Sequence, residues 1–245
     1  MDVAPPMATP IGTFSDGSWV LEGGPGIPRA ARLGRMGWDT VGYLRTESIG
    51  AAEILVARRP HRSWYGHEWA RTVAPNHVVF APMPTAAVGG DLLYYTKGDR
   101  FEVEAYRPDG TLQTIIRRNV EPSGIQGGDV EHWFDWRISN TDLCRDSAGF
   151  RRAFDESPRE EFFPVIRALQ VDADGNLWVK HYRPDWQEEK RSLWSVFDAT
   201  GQWMGEVEIP VVVAVFQIGT NYVLGMREDD LGVETVVVFA LTKTR

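Results

Sequence analysis

The feature that most restricts how this chain can fold is a repeated alternation of short β-branched or aromatic runs with turns built from Asp and Gly. Between Arg167 and Pro210 it reads Ala168-Leu169-Gln170-Val171, then Asp172-Ala173-Asp174-Gly175-Asn176, then Leu177-Trp178-Val179-Lys180. Gly and Asn accept the positive φ that tight hairpin turns require, and the flanking residues favour extended backbone. A second hairpin follows, with Leu193-Trp194-Ser195-Val196-Phe197, a turn at Asp198-Ala199-Thr200-Gly201, and Trp203 to Glu208. Four short antiparallel strands in about 44 residues match the size of one propeller blade.

The same grammar recurs from Thr85 to Arg117, with turns at Gly89-Gly90-Asp91 and Pro108-Asp109-Gly110. There Phe101-Glu102-Val103-Glu104 alternates apolar and acidic residues, the period-two pattern of a half-buried strand. A looser copy spans Ile11 to Ala57: Phe14, Ser15-Asp16-Gly17, Ser18 to Leu21, Thr40 to Leu44 and Ile54 to Val56, interrupted by a Gly/Pro-rich loop from Gly23 to Pro28. The last copy, Val213 to Leu241, stops one strand short. The predicted fold class is therefore all-β, a β-propeller of four-stranded antiparallel blades. About four blades are recognisable in one domain over residues 1–245, as a complete propeller or as part of six.

Between the second and third copies, residues 121–164 differ. Val130, Trp133, Phe134, Ile138, Leu143, Phe150 and Phe154 recur at three- and four-residue steps among acids and arginines. This predicts one or two short amphipathic helices, a helical insertion between blades that covers one face of the disc.

These phrases in this order resemble bacterial six-bladed β-propellers of the NHL/TolB-like type. The resemblance rests on Gly98-Asp99-Arg100-Phe101-Glu102-Val103, Tyr106-Arg107-Pro108-Asp109-Gly110, Ile115-Ile116-Arg117-Arg118, the helical insertion, Val171 to Val179, and Val223-Leu224-Gly225-Met226 with Asp230-Leu231-Gly232-Val233. It covers residues 76–245 well and 8–58 weakly. It implies a ligand- or protein-binding module, with export common in the family. The first residues, Met1 to Met7, lack the basic and apolar regions of an export signal, which leaves an intracellular chain or one whose precursor start is absent. A propeller also has to cover its sheet edges, and the Pro-rich start through Pro10 is a poor donor of the missing strand.

Composition narrows the partners. A formal charge of −8 with no Lys/Arg stripe argues against nucleic acid. No apolar run approaches the roughly 18 residues of a membrane span. Cys144 is the one cysteine, so neither an internal disulfide nor a Cys-based zinc site can form. The five histidines, His61, His67, His77, His132 and His181, show no metal-binding spacing. Asp172-x-Asp174-Gly175-Asn176 has calcium-like oxygen spacing but lacks the downstream Glu of a complete loop, and a β-turn needs those residues anyway. Glu228-Asp229-Asp230 is likewise a solvated turn, and Gly23 to Gly26 lacks the Gly-Lys-Ser/Thr of a phosphate loop.

No catalytic residue set emerges, and no cofactor is expected. Ten tryptophans suit either blade packing or ligand stacking. They concentrate one candidate site, in the inter-blade stretch Arg62 to Trp69: Trp64, Tyr65, His67, Glu68 and Trp69, three large aromatics with a His and an acid. The opposing reading is that Trp64 and Trp69 fill blade interfaces. The favoured function is a non-catalytic module binding a small molecule, peptide or protein. The alternatives are a metal-dependent lactonase- or lyase-like enzyme, which needs carboxylates converging from inner strands, and a structural piece completed by self-association through its open blade edge.

Overall fold

The structure is a computed structural model and describes residues 8–23, 34–48, 53–69, 72–139, 147–184, 186–187, 191–210, 213–229 and 231–242. The Gly/Pro-rich segment after Gly23, Cys144 and Asp230 lie outside them. Four antiparallel meanders follow one another in a propeller arrangement. The first holds β1 (Ala8–Thr13), β2 (Trp19–Gly23), β3 (Met36–Thr46), β4 (Glu53–Trp69) and β5 (Thr72–His77). The second holds β6 (Thr85–Gly89), β7 (Leu92–Thr96), β8 (Glu102–Tyr106) and β9 (Leu112–Arg117). Two helices, α1 (Gly127–Ser139) and α2 (Ser147–Glu156), precede the third sheet: β10 (Ile166–Val171), β11 (Leu177–His181), β12 (Arg191–Phe197) and β13 (Trp203–Pro210). The fourth has, among the described residues, three strands, β14 (Val213–Ile218), β15 (Tyr222–Glu228) and β16 (Glu234–Ala240), one fewer than the second and third sheets.

The first strand of each sheet is the inner one: β1 lies beside β6, β6 beside β10, and β10 beside β14. Gln170 ties the last pair, its side-chain amide donating to the Val215 carbonyl at 2.9 Å. Alternation along the second strands then builds the core. On β7, Leu93 and Tyr95 face the first sheet and pack with Val20, Val41 and Tyr43. Leu92 and Tyr94 face the other way, against Leu169, Leu177 and Val179 of the third sheet. On β11, Trp178 turns to the fourth sheet and meets Val213, Ile218 and Val223. Every residue of β7 is buried because a neighbouring sheet covers each face.

The turns work through their aspartates. Asp172 accepts the backbone N–H of Asp174 at 2.9 Å and of Asn176 at 2.8 Å, and Asp198 does the same for Thr200 and Gln202, both at 2.9 Å. Asp229 accepts from Leu231 and Val233. In all three the residue three places after the Asp is a Gly at positive φ, Gly175, Gly201 and Gly232. This five-residue unit closes the hairpins with hydrogen bonds local to the turn.

Pro10 lies within β1, opposite Leu21 beside a register shift, where an inner strand with one free edge tolerates a residue lacking an N–H. One local expectation is corrected. The stretch Arg62 to Trp69 is not an inter-blade loop: it forms the far half of the 17-residue β4 and pairs with β5, which makes the first sheet five-stranded. Pro75 opposite Gly66 is accommodated because β5 is the edge strand. Among the described residues no helix is long and apolar enough to cross a membrane.

Candidate aromatic groove

An aromatic cluster outside the blade interfaces lies where the helices meet the connection from β5 to β6. Gln126 starts α1 with a reciprocal cap: its N–H donates to the Asp129 carboxylate at 2.9 Å, and the Asp129 N–H donates to its carbonyl at 3.0 Å. The helix thereby presents Val130, Trp133 and Phe134 to a cluster with Val79, Phe80, Phe154 and Phe163. Trp133 stacks on Phe154 at 5.0 Å, and Phe80 meets Phe163 edge-on at 5.2 Å and Trp186 at 5.8 Å. On the helical side Arg159 sits 4.5 Å over the Phe154 ring, while Arg151 bridges Glu131 and Asp155.

Above this cluster opens a groove of about 340 Å³, walled by Phe80, Trp133, Trp136, Tyr182 and Trp186. Arg137 and Arg167 also line it, and among the described residues no Asp or Glu does, although the chain as a whole is acidic. Its floor is strained: Phe80 has φ 61 and is 7% exposed. A non-glycine residue held in that region costs on the order of 1–2 kcal/mol, which the packed rings around Phe80 offset.

The candidate Trp64, Tyr65, His67, Glu68 and Trp69 share one hairpin. The side chains of Trp64, His67, Glu68 and Trp69 lie outside the described residues, and Tyr65 is half-buried. The backbone register pairs Trp64 with His77, and His77 lines the groove, so this hairpin borders it. Phe80, Trp133, Tyr182 and Trp186 escape sequence reasoning because they are scattered along the chain. The only early signal was the three-to-four spacing of Val130, Trp133 and Phe134.

Two other clusters have catalytic ingredients and structural roles. His181 Nε2 lies 2.8 Å from Ser195 Oγ, with the Arg118 guanidinium donating to that Oγ at 2.5 Å and to Glu206 at 2.8 Å. Ser195 is 0% exposed, so no substrate reaches its oxygen, and Arg118 lies over the rings of Phe101 and Trp203. Burial lowers the His181 pKa from its ordinary value, Glu206 opposing and Arg118 assisting. The Asp172 carboxylate, read above as a turn rather than a calcium ligand, spends both oxygens on four donors, the third and fourth being Asn176 Nδ2 at 2.9 Å and Trp178 Nε1 at 3.0 Å.

The inner strands read Ala-Thr-Pro-Ile-Gly-Thr, Thr-Ala-Ala-Val-Gly, Ile-Arg-Ala-Leu-Gln-Val and Val-Ala-Val-Phe-Gln-Ile, without Asp, Glu or His. The converging inner-strand carboxylates that a metal-dependent propeller enzyme needs are not supplied by these strands. No protein-family model and no curated protein matches the chain. Among solved structures, that of a luciferin-regenerating enzyme is similar to it at 10% identity and a TM-score of 0.30, over 98% of this chain and 79% of that one.

Proposed function

We propose that this propeller is a non-catalytic binding module and that the aromatic groove takes its ligand, a small flat molecule with an anionic group. One observation carries the reading: five aromatic residues and two arginines line one cleft, with no Asp or Glu among its described lining residues. Aromatic walls gain by stacking on a planar ligand, and the arginines favour negative charge at its rim. The β4–β5 hairpin, with Trp64 and Trp69, would border the entrance. The resemblance to NHL/TolB-like propellers supports binding over catalysis, and Ser195, beside His181, is buried away from any substrate.

Isothermal titration with a series of planar aromatic carboxylates and their neutral amides tests this. The acids should bind more tightly than the amides, with Trp186→Ala raising Kd roughly 2- to 13-fold, the worth of one aromatic contact of about 0.5–1.5 kcal/mol. Arg167→Gln should abolish the preference for acids over amides. Equal binding of acid and amide, or affinities indifferent to both substitutions, would refute the assignment.

A further inference from the structure

Each junction between consecutive sheets in this chain joins the trailing face of one sheet to the leading face of the next, which leaves one leading and one trailing face over. The trailing face of the fourth sheet is apolar: Leu224 pairs with Val238 and Met226 with Val236, so these four share it. Val236 is 69% and Val238 65% exposed, while the opposite face, with Val223, packs on Trp178 and Trp194. The leading face of the first sheet matches it. Leu21 pairs with Leu44 and Leu44 with Leu55, and Trp19 lies two residues along β2 from Leu21. Trp19 and Leu55 are both 45% exposed. The two end faces have the same residue chemistry as the buried junctions, and in this structure they do not cover one another.

We propose that a second copy of the chain covers them, head to tail, the fourth sheet of each copy packing on the first sheet of the other. A heterologous contact of this kind either closes into a ring or propagates. Two copies bring eight sheets, within the four to eight blades from which propellers are built, whereas three copies would exceed that range. The area suffices. A face of three strands about 5 Å apart and about 20 Å long presents about 300 Å², so the four faces of two junctions bury about 1,200 Å², the lower bound for a stable complex. The inference is independent of the groove, since none of the residues named on the two end faces lines it.

The test is sedimentation velocity on the 245-residue chain and two charge variants, Val238→Arg on the trailing face and Leu55→Arg on the leading face, both at exposed positions. The unaltered chain should run at twice the 27.6 kDa of one copy. Each variant alone should be a monomer, since every junction needs one face of each kind. An equimolar mixture should regain a dimer of lower affinity, because one copy's intact leading face can still meet the other's intact trailing face. Circular dichroism confirms folding, and Val236→Glu with Trp19→Glu form a second pair should either first variant fail to fold. A monomeric unaltered chain overturns the proposal, as does a dimer that survives Val238→Arg, which would indicate pairing through the β16 edge. A mixture that stays monomeric, or masses above two copies, overturns it equally.

Discussion

Asp172→Ala should lower the unfolding free energy by about 3–5 kcal/mol, a figure that follows from the donors it would strand. Asp172 is 5% exposed and its carboxylate accepts four N–H groups. Trp178, one of the donors, is 2% exposed, so its indole N–H has no water to turn to, a penalty of about 1–3 kcal/mol. The two backbone amides of the turn lose charge-assisted bonds worth about 1 kcal/mol each, whereas the Asn176 amide can rotate toward solvent. Asp172→Asn keeps one acceptor oxygen and should lose about half as much. Urea unfolding followed by circular dichroism gives these values if the slope m is unchanged. Trp178→Phe removes the donor while keeping a ring, so a double-mutant cycle with Asp172→Ala should show coupling of at least about 1 kcal/mol. A loss below about 1 kcal/mol for Asp172→Ala, or no coupling to Trp178, would refute the idea that this carboxylate joins turn and core.

Two further perturbations probe the same architecture. Gly17 and Gly110 have nearly equal φ, 82 and 85, but a Cβ at Gly17 would meet nothing while one at Gly110 would stand 2.9 Å from the Val56 carbonyl oxygen. Gly17→Ala should therefore cost about 1 kcal/mol, the conformational term alone, and Gly110→Ala at least about 1 kcal/mol more. Equal losses in thermal or urea unfolding would show that the close approach between the first two sheets does not matter. The second perturbation is pH. Because burial lowers the His181 pKa in the folded chain, the unfolded chain takes up that proton first. The stability it contributes is full above the unfolded histidine pKa of about 6.5 and is lost as the pH falls through that value toward the folded pKa. His181→Gln should flatten this part of the curve, and parallel curves for both proteins between about pH 7 and pH 5 would disprove the role.

The blade grammar was legible in the chain itself because its causes are local. An Asp whose carboxylate caps two amides, followed three residues later by a Gly at positive φ, closes a turn wherever it occurs, as at Asp172, Asp198 and Asp229. Alternation on strands of fixed period then sorted Leu93 from Tyr94 and Leu177 from Trp178 onto opposite faces. The stretch Arg62 to Trp69 was misread because its aromatics follow no period of two. Only its ladder with β5 makes it a strand, and that pairing is not local to the eight residues.

The groove lies further from the sequence. Phe80, Trp133, Tyr182 and Trp186 come from a connection, a helix and the segment after β11, brought together because the third sheet docks on the second and carries both helices with it. Which apolar faces end up uncovered is decided at the same level. Val238 and Val223 look alike as strand residues, and only the order in which sheets stack buries one and leaves the other exposed. Turn chemistry and strand period act over a few residues and can be read from them. A binding cleft and an open blade face depend on contacts between segments far apart in the chain, and those exist only once the sheets have packed.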